Sequence, residues 1–295
     1  MSDLKQAALD RAVGLPCWTA PSNAEHLSGG ITNFNIKLTD QGADYVVRIG
    51  EDIPLHGVMR FNELAISRAA HTAGLAPAVH YDEPGALVLE FVEARALSEE
   101  EVADPARLPA IIDMVRRCHT EIPKHLRGPV LTFWVFHVLR DYCATLDDGG
   151  STHCRALPDL MAKADALEAA TGAVRLVLGH NDLLSANILE GQGRLWLIDW
   201  EYGGFNAPLF DLGGLATNNG LGEAQELAML EQYFEQAPNP TLIRKYTALK
   251  CASLLRETMW SMVSEIHSDI DFDYSAYTSE NLARFDAAFA DFKAA

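Results

Sequence analysis

Hydrophobic and polar positions divide this chain into a short front block with partly alternating residues and a longer block with helical spacing. Leu4, Ala8 and Ala12 recur at helical intervals and predict a short helix over 3–14. Ile31, Phe34, Ile36 and Leu38 alternate in part around the Gly29-Gly30 turn. The apolar run 45–49 (Tyr-Val-Val-Arg-Ile) closes at Gly50 and reads as the next strand. The segment 60–73 reads as a helix, and two short strands, 78–81 and 86–91, flank Asp-Glu-Pro-Gly. Residues 90–93 form an extended link. Beyond it the spacing predicts helices over 109–122, 131–146, 157–171, 208–218, 222–236, 240–266 and 278–293. Ser98 with Glu101 makes a capping box, and Asn239-Pro240 supplies an N-cap and a first-turn proline. Two apolar runs, 175–179 and 194–200, interrupt the helical part, each ending beside a carboxylate. The expected fold is α+β with two lobes: a small β-rich lobe over 1–92 and a larger, mainly helical lobe over 93–295.

Composition narrows the partners. The 295 residues are 48% hydrophobic, enough for a substantial core, and neither repeats nor low-complexity segments occur. With 23 basic against 41 acidic residues the formal charge is −18. That argues against nucleic acid and anionic membrane surfaces, which need clustered Lys and Arg. The five cysteines are scattered without a CxxC pair and read as reduced thiols, so a cytoplasmic location is expected. The first residues lack the apolar core of a signal peptide, and no run of eighteen apolar residues occurs.

The candidate chemistry lies between the two interrupting runs. His180, Asp182 and Asn187 form H-x-D-x-x-x-x-N, and Leu-Ile-Asp-Trp-Glu delivers Asp199 after enough residues for a β-hairpin. This order and spacing suits kinase-type phosphoryl transfer. One carboxylate meets the acceptor hydroxyl, while an amide oxygen and a second carboxylate hold Mg²⁺, which favours hard oxygen ligands. Arg48 stands inside an apolar strand, where a cation needs a partner, and Glu63 on the following helix can supply one. The absence of G-x-x-x-x-G-K-[ST] excludes a P-loop NTPase. His119 reads as a packing histidine.

These residues resemble the choline/ethanolamine kinases, within the aminoglycoside phosphotransferase-like group of the protein-kinase-like fold. The resemblance covers most of the chain through SGGITNFN, YVVRI, Glu63, EFVEARAL, HNDLLSAN, LIDWEYGGFNAPLFDLG and MWSMVSEIHSDIDFDYSAY. It implies ATP and Mg²⁺ as cofactors and the hydroxyl of a small cationic amino alcohol, choline or ethanolamine, as acceptor. Asp182 would be the catalytic base, and Asn187 and Asp199 the metal ligands. Ser28, Gly29, Gly30 and Asn33 would form the phosphate loop, with Arg48 held by Glu63 on the phosphates. The backbone at Glu90 and Val92 would meet adenine, and Asp211 would tie the catalytic loop. Glu201, Trp260, Tyr274 and Tyr277 would line the amino-alcohol site, where aromatic faces suit an ammonium that cannot donate hydrogen bonds.

Two positions depart from the family's pattern. Eukaryotic choline kinases carry Gln two residues after the catalytic Asp, where this chain has Leu184, and Glu257 replaces a second pocket tryptophan. A carboxylate there favours an amine with N–H donors. The rival readings are a kinase for an aminoglycoside, a sugar, homoserine or thiamine, or a non-catalytic nucleotide-binding regulator.

Overall fold

The computed structural model describes residues 2–27, 33–268, 270 and 272–294. The front block is a five-stranded antiparallel sheet built around a tight hairpin. In β2 (Phe34–Asp40) every second side chain from Ile36 onward is buried, and β3 (Ala43–Ile49) pairs with it from Asp40↔Ala43 to Phe34↔Ile49. The connecting Gln41 and Gly42 both take positive φ, 50° and 82°, as a two-residue turn matched to strand twist requires. β1 (Ser22–His26), β4 (Val79–Glu83) and β5 (Ala86–Glu90) complete the order β1-β2-β3-β5-β4. The opening helix α1 (Ser2–Val13) packs Ala8 and Ala12 against Ile36, Leu38, Val47 and Val88 in a small core of their own.

Helix α2 (Arg60–Thr72) takes its apolar partners elsewhere. Ile66, Ala69 and Ala70 belong to the main core, together with residues of the helical part. The helix that carries Glu63 is therefore seated on the large lobe while its Glu63 reaches a strand of the small one.

After the extended link come β6 (Arg95–Ala96), the capped turn α3 (Glu99–Val102), α4 (Leu108–Glu121), α5 (Val135–Asp148) and α6 (Leu157–Thr171). β7 (Val177–Gly179), the hairpin β8 (Ile188–Gly191) with β9 (Arg194–Leu197), and β10 (Gly204–Asn206) precede α7 (Pro208–Asn218) and α8 (Glu223–Phe234). The chain ends in α9 (Pro240–His267) and α10 (Tyr274–Ala294). α9 is buried almost all round between Tyr246 and Ser264, as a central helix enclosed by α5, α6, α7 and α10 must be.

The helix expected over 131–146 begins four residues late. Leu131 and Phe133 are drawn into backbone hydrogen bonds with Phe205 of β10, at 3.0 and 2.9 Å, so pairing overrides local periodicity. The strands β6 and β10 are too short to carry a period and went unpredicted. The last helix starts earlier than expected, at Tyr274. All five cysteines are free. No helix among the described residues is long and apolar enough to cross a membrane.

Candidate active site

The loop between β7 and β8 is held by one buried carboxylate. Asp211, in the first turn of α7, accepts hydrogen bonds from the backbone N–H of His180 and of Asn181, both at 2.7 Å, and contacts His119 Nε2 at 2.9 Å. Burial pushes the Asp211 carboxyl up, but the His119 hydrogen bond and nearby positive charge bring it below the usual carboxylate range. His119 is itself a packing residue, buried between Asp211 and the Tyr233 hydroxyl. Asn181 adopts a left-handed φ of 66°, turning the chain so that Asp182 emerges beside it.

Asp182 and Asn187 then face each other across a short 3-10 turn, Ser185–Asn187. Asn187 Nδ2 donates to the Asp182 backbone carbonyl at 2.9 Å and contacts its Oδ2 at 3.3 Å, which turns the amide oxygen away from that carboxylate. The Asp182 carboxyl is pushed up to about 8, chiefly by burial; Arg256 opposes this while Glu257, Asp199 and Glu201 add to it. The second strand of the hairpin is fastened to the same loop. Ile198 N–H donates to Asn187 O at 3.0 Å, and His180 Nε2 meets Ile198 O at 2.8 Å. β9 stops at Leu197, earlier than expected, because Asp199 takes a φ of 66° and swings toward Arg48.

Arg48 is the centre of a buried charge network. It meets Glu63 Oε1 at 3.0 Å, Asp199 Oδ1 at 2.8 Å and Glu201 Oε2 at 3.5 Å. Arg60 joins it, 2.6 Å from Glu63 and 3.2 Å from Glu201, and Asn33 Nδ2 donates to Glu201 at 2.9 Å. Arg48 outweighs burial at Asp199 and holds that carboxyl below the usual range. Glu201, expected to line the amino-alcohol site, is engaged by Arg48, Arg60 and Asn33. A carboxylate with a side chain only 5% exposed needs cationic partners, and it finds two arginines, Arg48 and Arg60.

The remaining expected residues fall into place unevenly. Glu90 closes β5 with its N–H donated to Ala78 O at 2.9 Å, and the Val92 side chain is buried. Ser28, Gly29 and Gly30 lie outside the described residues. At the other end, Trp260 is 5% exposed and donates Nε1–H to the Tyr202 hydroxyl at 3.0 Å. Tyr274, also buried, and Tyr277 stand edge-on to it, with ring centres 5.9 and 6.5 Å away. Tyr277 is half-buried and donates its hydroxyl to Glu257 Oε1 at 2.8 Å. Of these residues Tyr277 and Glu257 are the more accessible, Trp260 and Tyr274 are buried, and the exposed Phe272 ring lies 5.7 Å from that of Tyr277.

Sequence reasoning missed Arg256, a buried cation on α9 that lines a cavity with Asp182 and whose charge lowers that carboxyl against the effect of burial. The signal was there: a lone arginine in the apolar run Ser-Leu-Leu-Arg-Glu-Thr-Met-Trp is as conspicuous as Arg48 in its strand. Asn187 and Asp199 offer an amide oxygen and a carboxylate, a donor set that fits Mg²⁺. Among the described residues, Asp199 Oδ2 makes no hydrogen bond and no cluster of three or more His, Cys, Asp or Glu could hold a metal. Two protein oxygens suit an ion that keeps waters and leans on substrate phosphate.

Comparison with known proteins identifies the family and the fold. Residues 24–219 match the family model for choline/ethanolamine kinase. Protein LicA of Haemophilus influenzae is 27% identical over 270 residues, covering 88% of this chain and 97% of that protein. A crystal structure of a choline/ethanolamine kinase family protein from Mesorhizobium loti superposes with a TM-score of 0.77 at 26% identity, covering 97% of this chain and 94% of that one. A structure of LicA in complex with AMP shares the fold, with a TM-score of 0.75 at 21% identity and coverage of 99% and 98%. The two-lobed architecture is protein-kinase-like, and the chain is a small-molecule kinase that belongs to the choline/ethanolamine kinase family.

Proposed function

We propose that this kinase moves the γ-phosphoryl group of ATP to the hydroxyl of a small amino alcohol of the choline or ethanolamine class. Transfer takes place in a cleft between the lobes 1–92 and 93–295. The observation that carries this reading is that the Asp182–Asn187 loop is fastened to the segment bearing Asp199, through Ile198 N–H to Asn187 O at 3.0 Å and His180 Nε2 to Ile198 O at 2.8 Å, while Asp199 meets Arg48 at 2.8 Å. Asp182 orients the acceptor hydroxyl and receives its proton. Asn187 and Asp199 hold Mg²⁺, which supplies charge neutralisation on the phosphates when bound. Arg48, braced by Glu63, Glu201 and Arg60, contacts the phosphates, with Asn33 and the 28–30 loop beside it. Adenine meets the backbone at Glu90 and Val92. Catalysis of this kind is mostly positioning and charge stabilisation. Five free cysteines support a cytoplasmic setting.

The acceptor's ammonium rests against Tyr277, with Glu257 at its edge and Trp260 and Tyr274 behind. Tyr277→Leu, which removes the π face at similar bulk, is expected to raise the amine KM about 2- to 30-fold, the equivalent of about 0.5–2 kcal/mol. The KM for ATP stays unchanged. Trp260→Leu, by contrast, lowers the melting temperature, because it opens a buried wall and strands the Tyr202 hydroxyl. An unchanged amine KM in Tyr277→Leu would move the amine site elsewhere. The reading as a whole is tested by ADP release from ATP on adding choline or ethanolamine, with and without EDTA. Release that needs both the amine and the divalent ion supports it, and amine-independent release contradicts it.

A further inference from the structure

Helix α9 brings a charge into the interior that the proposed reaction has not used. Arg256 is 4% exposed. Its Nη1 donates to Glu257 Oε2 at 2.9 Å, and its guanidinium carbon stands 4.3 Å from the Tyr202 ring centre and 5.6 Å from that of Phe133. The Tyr142 hydroxyl lies beside the guanidinium and interacts with it through charge and a side-chain hydrogen bond, which offsets part of the effect of burial on that hydroxyl. Tyr142 aside, the other two nitrogens, Nε and Nη2, are buried and reach no described residue in hydrogen-bond geometry. A buried guanidinium with unused donors is costly, and methionine or leucine would fill the same space without that cost. Packing alone does not account for it.

The unused donors have a destination. Arg256, Glu257 and Ser253 share with Asp182 the wall of a cavity of about 20 Å³. One water molecule needs roughly 10–15 Å³ measured in this way, together with two to four polar partners. The strongest charge acting on Asp182 is that of Arg256, and Glu257, Asp199 and Glu201 act against it. Without Arg256 the reacting carboxylate would face three others with no cation of its own on the α9 side.

We propose that Arg256 is a positioning residue for the phosphoryl transfer: it neutralises Glu257 with one arm and, through a single water in this cavity, holds the Asp182 carboxylate in its accepting orientation. The inference rests on Asp182 being the base. The planar fork matters, because Nη1 is occupied by Glu257 while Nε and Nη2 remain to hold the water, whose own hydrogens reach the carboxylate. A lysine offers one point charge and cannot serve both groups at fixed geometry.

The test is a kinetic series on the full chain. Arg256→Met keeps length and apolar packing and removes the charge; its kcat is expected to fall about 10²-fold, the usual consequence of a misplaced reacting group. Arg256→Lys should fall between it and wild type, and both should keep the wild-type KM for ATP. Arg256→Ala should recover turnover as methylguanidinium is added. A merely structural arginine would lower the melting temperature of these variants and leave kcat in the folded fraction unchanged. If Arg256→Met does not fold, Arg256→Lys decides. A folded Met or Lys variant with wild-type kcat overturns the proposal. Asp182→Asn, measured alongside, separates the two readings: if it stays active, the base assignment falls, and if it is inactive while the Arg256 variants are fully active, only the role of Arg256 falls.

Discussion

Asp182→Asn will lower kcat by about 10²-fold or more and leave the KM for ATP close to that of the wild type. The substitution keeps the shape of the side chain and its contact with Asn187 Nδ2, so the loop stays in place. Two backbone N–H groups of that loop, those of His180 and Asn181, also hold it to Asp211 independently of residue 182, and His119 steadies Asp211 in turn. What is lost is the acceptor of the substrate's proton and the negative charge that orients its hydroxyl. A contribution of about 10²-fold corresponds to roughly 2.7 kcal/mol of transition-state stabilisation. Kinetics under saturating ATP and amine check it. A variant with weakened ATP binding and retained kcat would take Asp182 out of the catalytic role.

Asp199→Ala is expected to be as damaging by a different route. In the proposed site Asp199 would be one of two protein ligands of Mg²⁺, and it also meets Arg48 at 2.8 Å, so its removal would take away a metal ligand and one of the partners that fix Arg48. Arg48 keeps Glu63 and Glu201, and the protein should therefore stay folded. Losing one electrostatic stabiliser of a developing charge typically costs about 10²–10³-fold in kcat. A titration of turnover against Mg²⁺ should show activity that is low and shifted to higher metal concentration. Near-wild-type turnover at ordinary Mg²⁺ would mean that the metal is held elsewhere.

Features set by local spacing were legible in the chain. The loop from His180 to Asn187, the hairpin leading to Asp199 and the helices over 157–171 and 208–218 follow from short-range pattern, and the structure places them accordingly. Arg48 could be matched to Glu63 because a cation in an apolar strand demands a partner and a helix glutamate was near in sequence.

What pattern could not supply was direction. Glu201 is two residues from Asp199, but the left-handed turn at Asp199 decides which way the following side chains face, and Glu201 turns to Arg48 and Arg60. Trp260 lies on a helix whose apolar positions are spread round its circumference, so its period gives no hint of whether it faces a pocket or the core. Arg256 acts on Asp182, which is far away in sequence, and no spacing rule links them. The start of α5 was lost in the same way, to a pairing with β10 that is distant in sequence.

The central claim is the identity of the transfer, and one competition experiment addresses it directly. The purified chain is incubated with ATP, Mg²⁺ and equal amounts of choline, ethanolamine, homoserine, thiamine and kanamycin, and the phosphorylated products are separated and weighed by mass spectrometry. The account predicts that phosphocholine or phosphoethanolamine dominates, and that neither forms in Asp182→Asn at a comparable rate. Dominant phosphorylation of kanamycin, homoserine or thiamine, or no phosphomonoester at all, would contradict it.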